Sequence, residues 1–172
     1  MTSHSDDDRA PATPERVRSI VRIDLDERSF LRRRPEVEHE REVALFDLLE
    51  ENTFVLKGEG VAAGPYHLRL ALSEDRLVFE VCDTGDTQLQ RLVIAVKPFR
   101  MVIKDYFLVC ESYFDAIKTE SAAQIEAIDM GRRALHNEGA GMLKERLAEQ
   151  VALDHNTARR LFTLLCVLHM RG

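Results

Sequence analysis

Three runs of alternating apolar and polar residues, joined by links too short to cross a sheet, constrain this chain more than anything else in it. Tyr66, Leu68, Leu70 and Leu72 alternate with His67 and Arg69. Leu77, Phe79 and Val81 alternate with Glu80, and Leu92, Ile94 and Val96 with Arg91 and Lys97. A period of two belongs to a strand with one face buried. The links Ser73–Arg76 and Asp83–Thr87 are far shorter than a parallel crossover, which takes roughly a dozen residues. The three runs therefore predict an antiparallel meander with one solvated face. Val17–Leu25 alternates in the same way, with Arg18, Arg22 and Asp24 on its polar side, and predicts a further strand. Thr53–Lys57 predicts a short one.

Helical signals occupy the rest. Pro35 suits a first helical position and Glu36 and Glu38 its positive end, so a helix is predicted from Pro35 to about Asn52. Pro98 opens another to about Thr119. Ser121 with Gln124 is a capping-box pattern for a third, predicted to stop near Gly139. A fourth is expected from about Gly141 to Gln150, and Asp154 can cap a last one to about Met170. Strands first and helices after describe an α+β fold: an antiparallel meander sheet of about four strands with about five helices packed on one face. Met1 to about Glu15 has hardly an apolar side chain, which predicts a disordered tail over residues 1–15 and a single α+β domain over residues 16–172. A chain of 172 residues is long enough to bury about 70% of its unfolded surface.

Charge and cysteine usage narrow the function classes. With 24 basic and 30 acidic residues the net charge is −6, which disfavours a general nucleic-acid binder. The Arg32–Arg34 triplet before Pro35 is the local exception, read as a solvated linker or as a contact for nucleic acid or an acidic partner. Cys82, Cys110 and Cys166 are odd in number and have apolar neighbours, so reduced, buried thiols in a cytoplasmic protein are expected. No secretory h-region is visible. The longest apolar run, Leu161–Met170, is too short for a membrane span and predicts a core helix.

On the helix from Ser121, Asp129, Arg132, Arg133 and His136 fall at i, i+3, i+4 and i+7 and share a face. Two guanidiniums oriented by one carboxylate can hold a phosphate or carboxylate, with His136 as a proton donor. The plainer reading is a salt-bridged surface stripe. Arg159 and Arg160 form a second pair in the first turns of the last helix. Glu111 and Asp115 are an i, i+4 carboxylate pair, more often solvated than catalytic. The helix from Pro98 is apolar nearly all round, which predicts a central position, or else a docking surface around Leu108. On the first helix Val37, Ala44, Leu45, Leu48 and Leu49 make a core stripe. Arg41 lies within it and calls for an ion pair. His39, Val43 and Phe46 make a second stripe, covered by later helices or used for self-association. The histidines show no metal-ligand spacing and no nucleotide loop or nucleophile elbow occurs, so no metal and no cofactor is expected.

Several long segments resemble uncharacterised protein family 0262, a group of small bacterial proteins. They include Pro35-Glu36-Val37-Glu38-His39-Glu40-Arg41, Cys110-Glu111-Ser112-Tyr113-Phe114-Asp115-Ala116-Ile117, Leu135-His136-Asn137-Glu138-Gly139 and Thr157-Ala158-Arg159-Arg160-Leu161-Phe162-Thr163. The likeness runs from about Val17 to Gly172. It implies a bacterial, cytoplasmic protein that is a domain in its own right, and transfers no catalytic residue. The leading expectation is a non-enzymatic binding or regulatory protein acting through protein–protein contacts, as a homodimer or with another protein partner. The alternative is an enzyme or binder of a small phosphorylated or carboxylated ligand, using Asp129, Arg132, Arg133 and His136 with Arg159 and Arg160 opposite.

Overall fold

The computed structural model describes residues 19–26 and 34–170. The expected tail over residues 1–15, the start of the first strand, and Arg32 and Arg33 lie outside the described residues. The alternating runs become β3 (Tyr66–Ser73), β4 (Arg76–Cys82) and β5 (Gln88–Ala95), paired antiparallel in the expected meander. The sheet order is β1-β3-β4-β5, with β1 spanning Ile20–Leu25. One prediction is corrected here: β1 pairs with β3 in parallel, so the sheet is mixed. The residues between β1 and β3 contain a whole helix, enough for the crossover a parallel pair requires. The short strand expected near Thr53 is β2 (Phe54–Leu56). It joins β6 (Val151–Leu153) in a separate two-stranded sheet.

Among the described residues there are four α-helices, not five: α1 (Pro35–Glu50), α2 (Arg100–Thr119), α3 (Ala122–Leu147) and α4 (His155–His169). The helix expected to stop at Gly139 and the one expected from Gly141 are one helix. Gly139 does not end it, because this glycine serves packing. A Cβ there would enter the space of the Phe162 ring, so its absence lets α3 lie against α4. The start of α3 follows the sequence signal: Ser121 Oγ accepts from the Gln124 backbone N–H at 3.3 Å, and Gln124 Oε1 accepts from the Ser121 N–H at 3.2 Å. Asp154 likewise caps α4, accepting from the Thr157 N–H at 2.9 Å.

The central helix is α4 rather than α2. Leu161 through Leu168 are buried without interruption, whereas α2 leaves Met101 70% and Leu108 53% exposed. α4 packs between α1 and α3 and over β3, the position expected of a helix apolar on every side. One sheet face sends Leu68, Leu70, Leu77, Phe79, Leu92 and Ile94 into the same core. On the other face Arg69, Glu80 and Arg91 lie opposite one another across β3, β4 and β5, a favourable alternation of charge.

That outer face is closed at β1 by a histidine between two carboxylates. His67, buried, meets Asp24 Oδ2 of β1 through Nε2 at 2.7 Å and Asp86 Oδ1 of the β4–β5 turn through Nδ1. The His67 bond holds the Asp86 carboxyl below its ordinary range.

Gly139→Ala tests the packing. The exchange favours the helix by about 1 kcal/mol intrinsically, but overpacking against a fixed ring costs about 1–3 kcal/mol. Urea unfolding should show net destabilisation. Gly131→Ala, whose Cβ would enter open space, should instead stabilise by about 0.5–1 kcal/mol. Equal responses at the two positions would contradict the account.

Candidate functional site

α3 and α4 carry all six sequence candidates, and their contact decides what each can do. At the outer edge of α3, Asp129 is shared. Its Oδ1 accepts from Arg132 Nη2 at 2.7 Å and Nε at 3.0 Å, and its Oδ2 lies 2.9 Å from Arg133 Nη2. Arg132 also stacks over the Tyr113 ring, 5.4 Å from the centroid, a cation–π arrangement. The Arg132 bond, with Arg133 adding, holds the Asp129 carboxyl below the usual range. Arg133 is 67% exposed on its side-chain surface. These three residues form the salt-bridged stripe that the plainer sequence reading described.

His136 does not share that exposed face. It is 6% exposed, wedged between the Tyr106 and Phe162 rings at 5.2 and 5.5 Å between centroids. Burial pushes its pKa down to about 4, and the charges of Arg159, Arg132 and Arg160 add to the effect. The ring is therefore neutral at pH 7 and has no acidic proton to hand over. Its tautomer follows from its neighbours. Arg159 Nε, only ever a donor, faces Nδ1 at 3.5 Å, so Nδ1 is bare and the proton sits on Nε2. Nε2 then donates to Thr163 Oγ1 at 2.7 Å, and that hydroxyl donates to the Arg159 carbonyl at 3.2 Å. A closed chain, Arg159–His136–Thr163–Arg159, fixes the guanidinium by its Nε edge.

Arg160 points elsewhere and pairs with Asp47 of α1 at 3.2 Å. Arg159 has no carboxylate partner among the described residues. Burial, with Arg160 and Arg132 beside it, lowers its pKa. Its terminal nitrogens are not sealed in, since no buried side-chain nitrogen or oxygen among the described residues lacks a partner. Arg159 and Arg160 border a cavity of about 1250 Å³ between β1, the end of α1 and the start of α4. Asp129, Arg132, Arg133 and His136 do not line it. The six candidates thus form two groups, four on α3 away from the cavity and Arg159 with Arg160 lining it, joined where Arg159 docks on His136.

Sequence reasoning missed Asp47 and Thr163, whose roles depend on which helices touch. It also placed Leu49 in the core, whereas Leu49 is exposed at the rim of this cavity. Arg41 does take an ion pair, with Glu38 at 3.5 Å. Glu111 and Asp115 border a second cavity, of about 800 Å³, beside Phe107, Leu108 and Phe114. Cys82, Cys110 and Cys166 are free and buried, and burial pushes the Cys110 thiol up to about 11. A thiol so raised is a poor nucleophile. Among the described residues no cluster of histidine, cysteine and carboxylate side chains could hold a metal ion, and no helix is long and apolar enough to cross a membrane.

Together these features describe a small α+β protein with a cluster of basic side chains where α3 meets α4. The family model described as Uncharacterised protein family (UPF0262) matches residues 17–171, and the chain belongs to that family. A UPF0262 protein of Rhodospirillum rubrum is 60% identical over 153 residues, covering 89% of this chain and 93% of that one. UPF0262 proteins of Paramagnetospirillum magneticum and Mesorhizobium japonicum are each 52% identical over 153 residues, 89% of this chain and 96% and 94% of theirs. No solved structure matches significantly.

The neutral His136 has a stability signature. Its folded pKa of about 4 lies below the ordinary 6.5, so between those values the unfolded chain binds the proton that the folded one refuses. Its contribution to stability is full above about pH 6.5 and falls as the pH drops towards 4, by on the order of 3 kcal/mol in all. Asp129, with its lowered pKa, loses its contribution only below that window. Urea unfolding of His136→Gln should show a flatter dependence from pH 6.5 to 4.5 than the wild type. Parallel curves would show that His136 is not held neutral.

Proposed function

We propose that this protein is a cytoplasmic binding protein for a ligand bearing a phosphate or carboxylate, and that Arg159 is its anchor. The observation that supports this most is the state of that side chain. It is half-buried, docked by Nε on a neutral histidine, without a carboxylate partner among the described residues, and it lines a cavity. A guanidinium presents a planar fork matched to an oxyanion. Arg160 adds charge beside it, while Arg132 and Arg133 are occupied by Asp129.

A thermal-shift screen of phosphates, sugar phosphates, nucleotides and carboxylates tests the reading. A ligand at 100 times its Kd adds about 2.7 kcal/mol, a rise of about 5–10 °C for a chain of this size. The rise should vanish in Arg159→Gln and persist in Arg133→Gln. A flat screen, or a hit indifferent to Arg159, would overturn it.

A second reading, action through protein contacts, is favoured by α1. Val43 and Phe46 are not covered by other helices: Phe46 is 65% exposed, and Leu49 and Val21 are exposed beside the same rim. If this stripe joins two copies, sedimentation should show a dimer that Phe46→Asp converts to monomer. A wild type that stays monomeric at every concentration would remove the homodimer.

A further inference from the structure

The cavity beside Arg159 is charged in two senses. Its α4 wall carries Arg159, without a carboxylate partner among the described residues, beside Arg160 and the N-cap Asp154. Its α1 wall carries Glu50, the last residue of that helix, and Glu51, its C-cap. Neither glutamate forms an ion pair among the described residues, although Asp47 one turn earlier reaches Arg160. The last turn of α1 holds no basic residue, so both carboxylates sit against the negative end of the helix dipole, where anions are disfavoured. Burial, with the charges of Arg160, Arg132 and Arg133, lowers the Arg159 pKa. On the same α1 wall Phe46 and Leu49 expose apolar surface. Opposite charges that form no ion pair among the described residues thus line one cavity, and such departures from local pairing collect at functional sites.

We infer that the cavity takes a small zwitterion: a carboxylate or phosphate on the Arg159 fork, a primary amine at Glu50 and Glu51, and an apolar linker over Phe46 and Leu49. This rests on the oxyanion reading of Arg159 and adds the ligand's other end. An ammonium group supplies three donors and the positive charge that the end of α1 lacks. A simple anion would leave that end unanswered.

Calorimetric titration of the full chain with two series tests it. One is the ω-amino carboxylates from β-alanine to 8-aminooctanoate, with aminoalkyl phosphates beside them. The other is alkyl carboxylates and alkyl phosphates of matching length, without the amine. The zwitterions should bind about tenfold tighter than their amine-free counterparts, the amount that one charge-assisted hydrogen bond supplies, with an optimum chain length. Glu50→Gln/Glu51→Gln should erase that advantage without weakening the amine-free series, while Arg159→Gln should weaken both. Unfolding midpoints of each variant confirm that it is folded. Equal affinity in the two series, with no effect of the glutamate substitutions, would overturn the zwitterion while leaving the oxyanion reading intact. Absence of binding in both series would overturn both.

Discussion

The missing side chain at Gly139 sets the geometry on which the site depends. With no Cβ there, the Phe162 ring seats against the α3 backbone and brings the two helices into close contact. His136, one turn before Gly139, is thereby carried to Thr163, the residue after Phe162, and to Arg159 one turn earlier on α4. Separating the helices by the width of one methyl group would break those bonds together. The same contact buries His136 among Tyr106 and Phe162, and that burial is the largest reason the ring stays neutral.

Neutrality of His136 determines how Arg159 is held. A charged imidazolium has two donors and no acceptor and would repel the guanidinium. The neutral ring offers Nδ1 as an acceptor and holds Arg159 by a single edge. The arginines around it differ in kind. Arg132 and Arg133 share Asp129, and Arg160 has Asp47, so three of the four cations are answered. A cation held in place, partly desolvated and unanswered is stabilised by an anionic ligand more than its neighbours are.

Much of the fold was legible because its signals are local. Ser121 with Gln124 and Asp154 with Thr157 are caps readable over a few residues, and the β3–β4–β5 meander follows from alternation plus short links. The helix face shared by Asp129, Arg132 and Arg133 was legible for the same reason. What escaped depends on partners distant in the chain. Gly139 has the composition of a helix stop, and only Phe162 explains why the helix continues. The parallel pairing of β1 depends on where the crossover lands. His136 fits the polar stripe by spacing, yet it turns inward because α4 covers it. The pairings Arg160–Asp47 and Arg159–His136, and the Asp24–His67–Asp86 clasp, join elements that no sequence window spans. The exposed Phe46 stripe was readable as a pattern, but its exposure was decided by which helices came to lie elsewhere.

The central claim is that His136 is a neutral acceptor that orients Arg159. Long-range proton–nitrogen NMR correlation of the histidine rings at neutral pH tests it most directly. The account predicts a His136 ring protonated at Nε2 with a bare, acceptor-type Nδ1. An Nδ1–H tautomer, or an imidazolium at that pH, would contradict it, because Arg159 would then have nothing to dock on and its free edge no fixed direction.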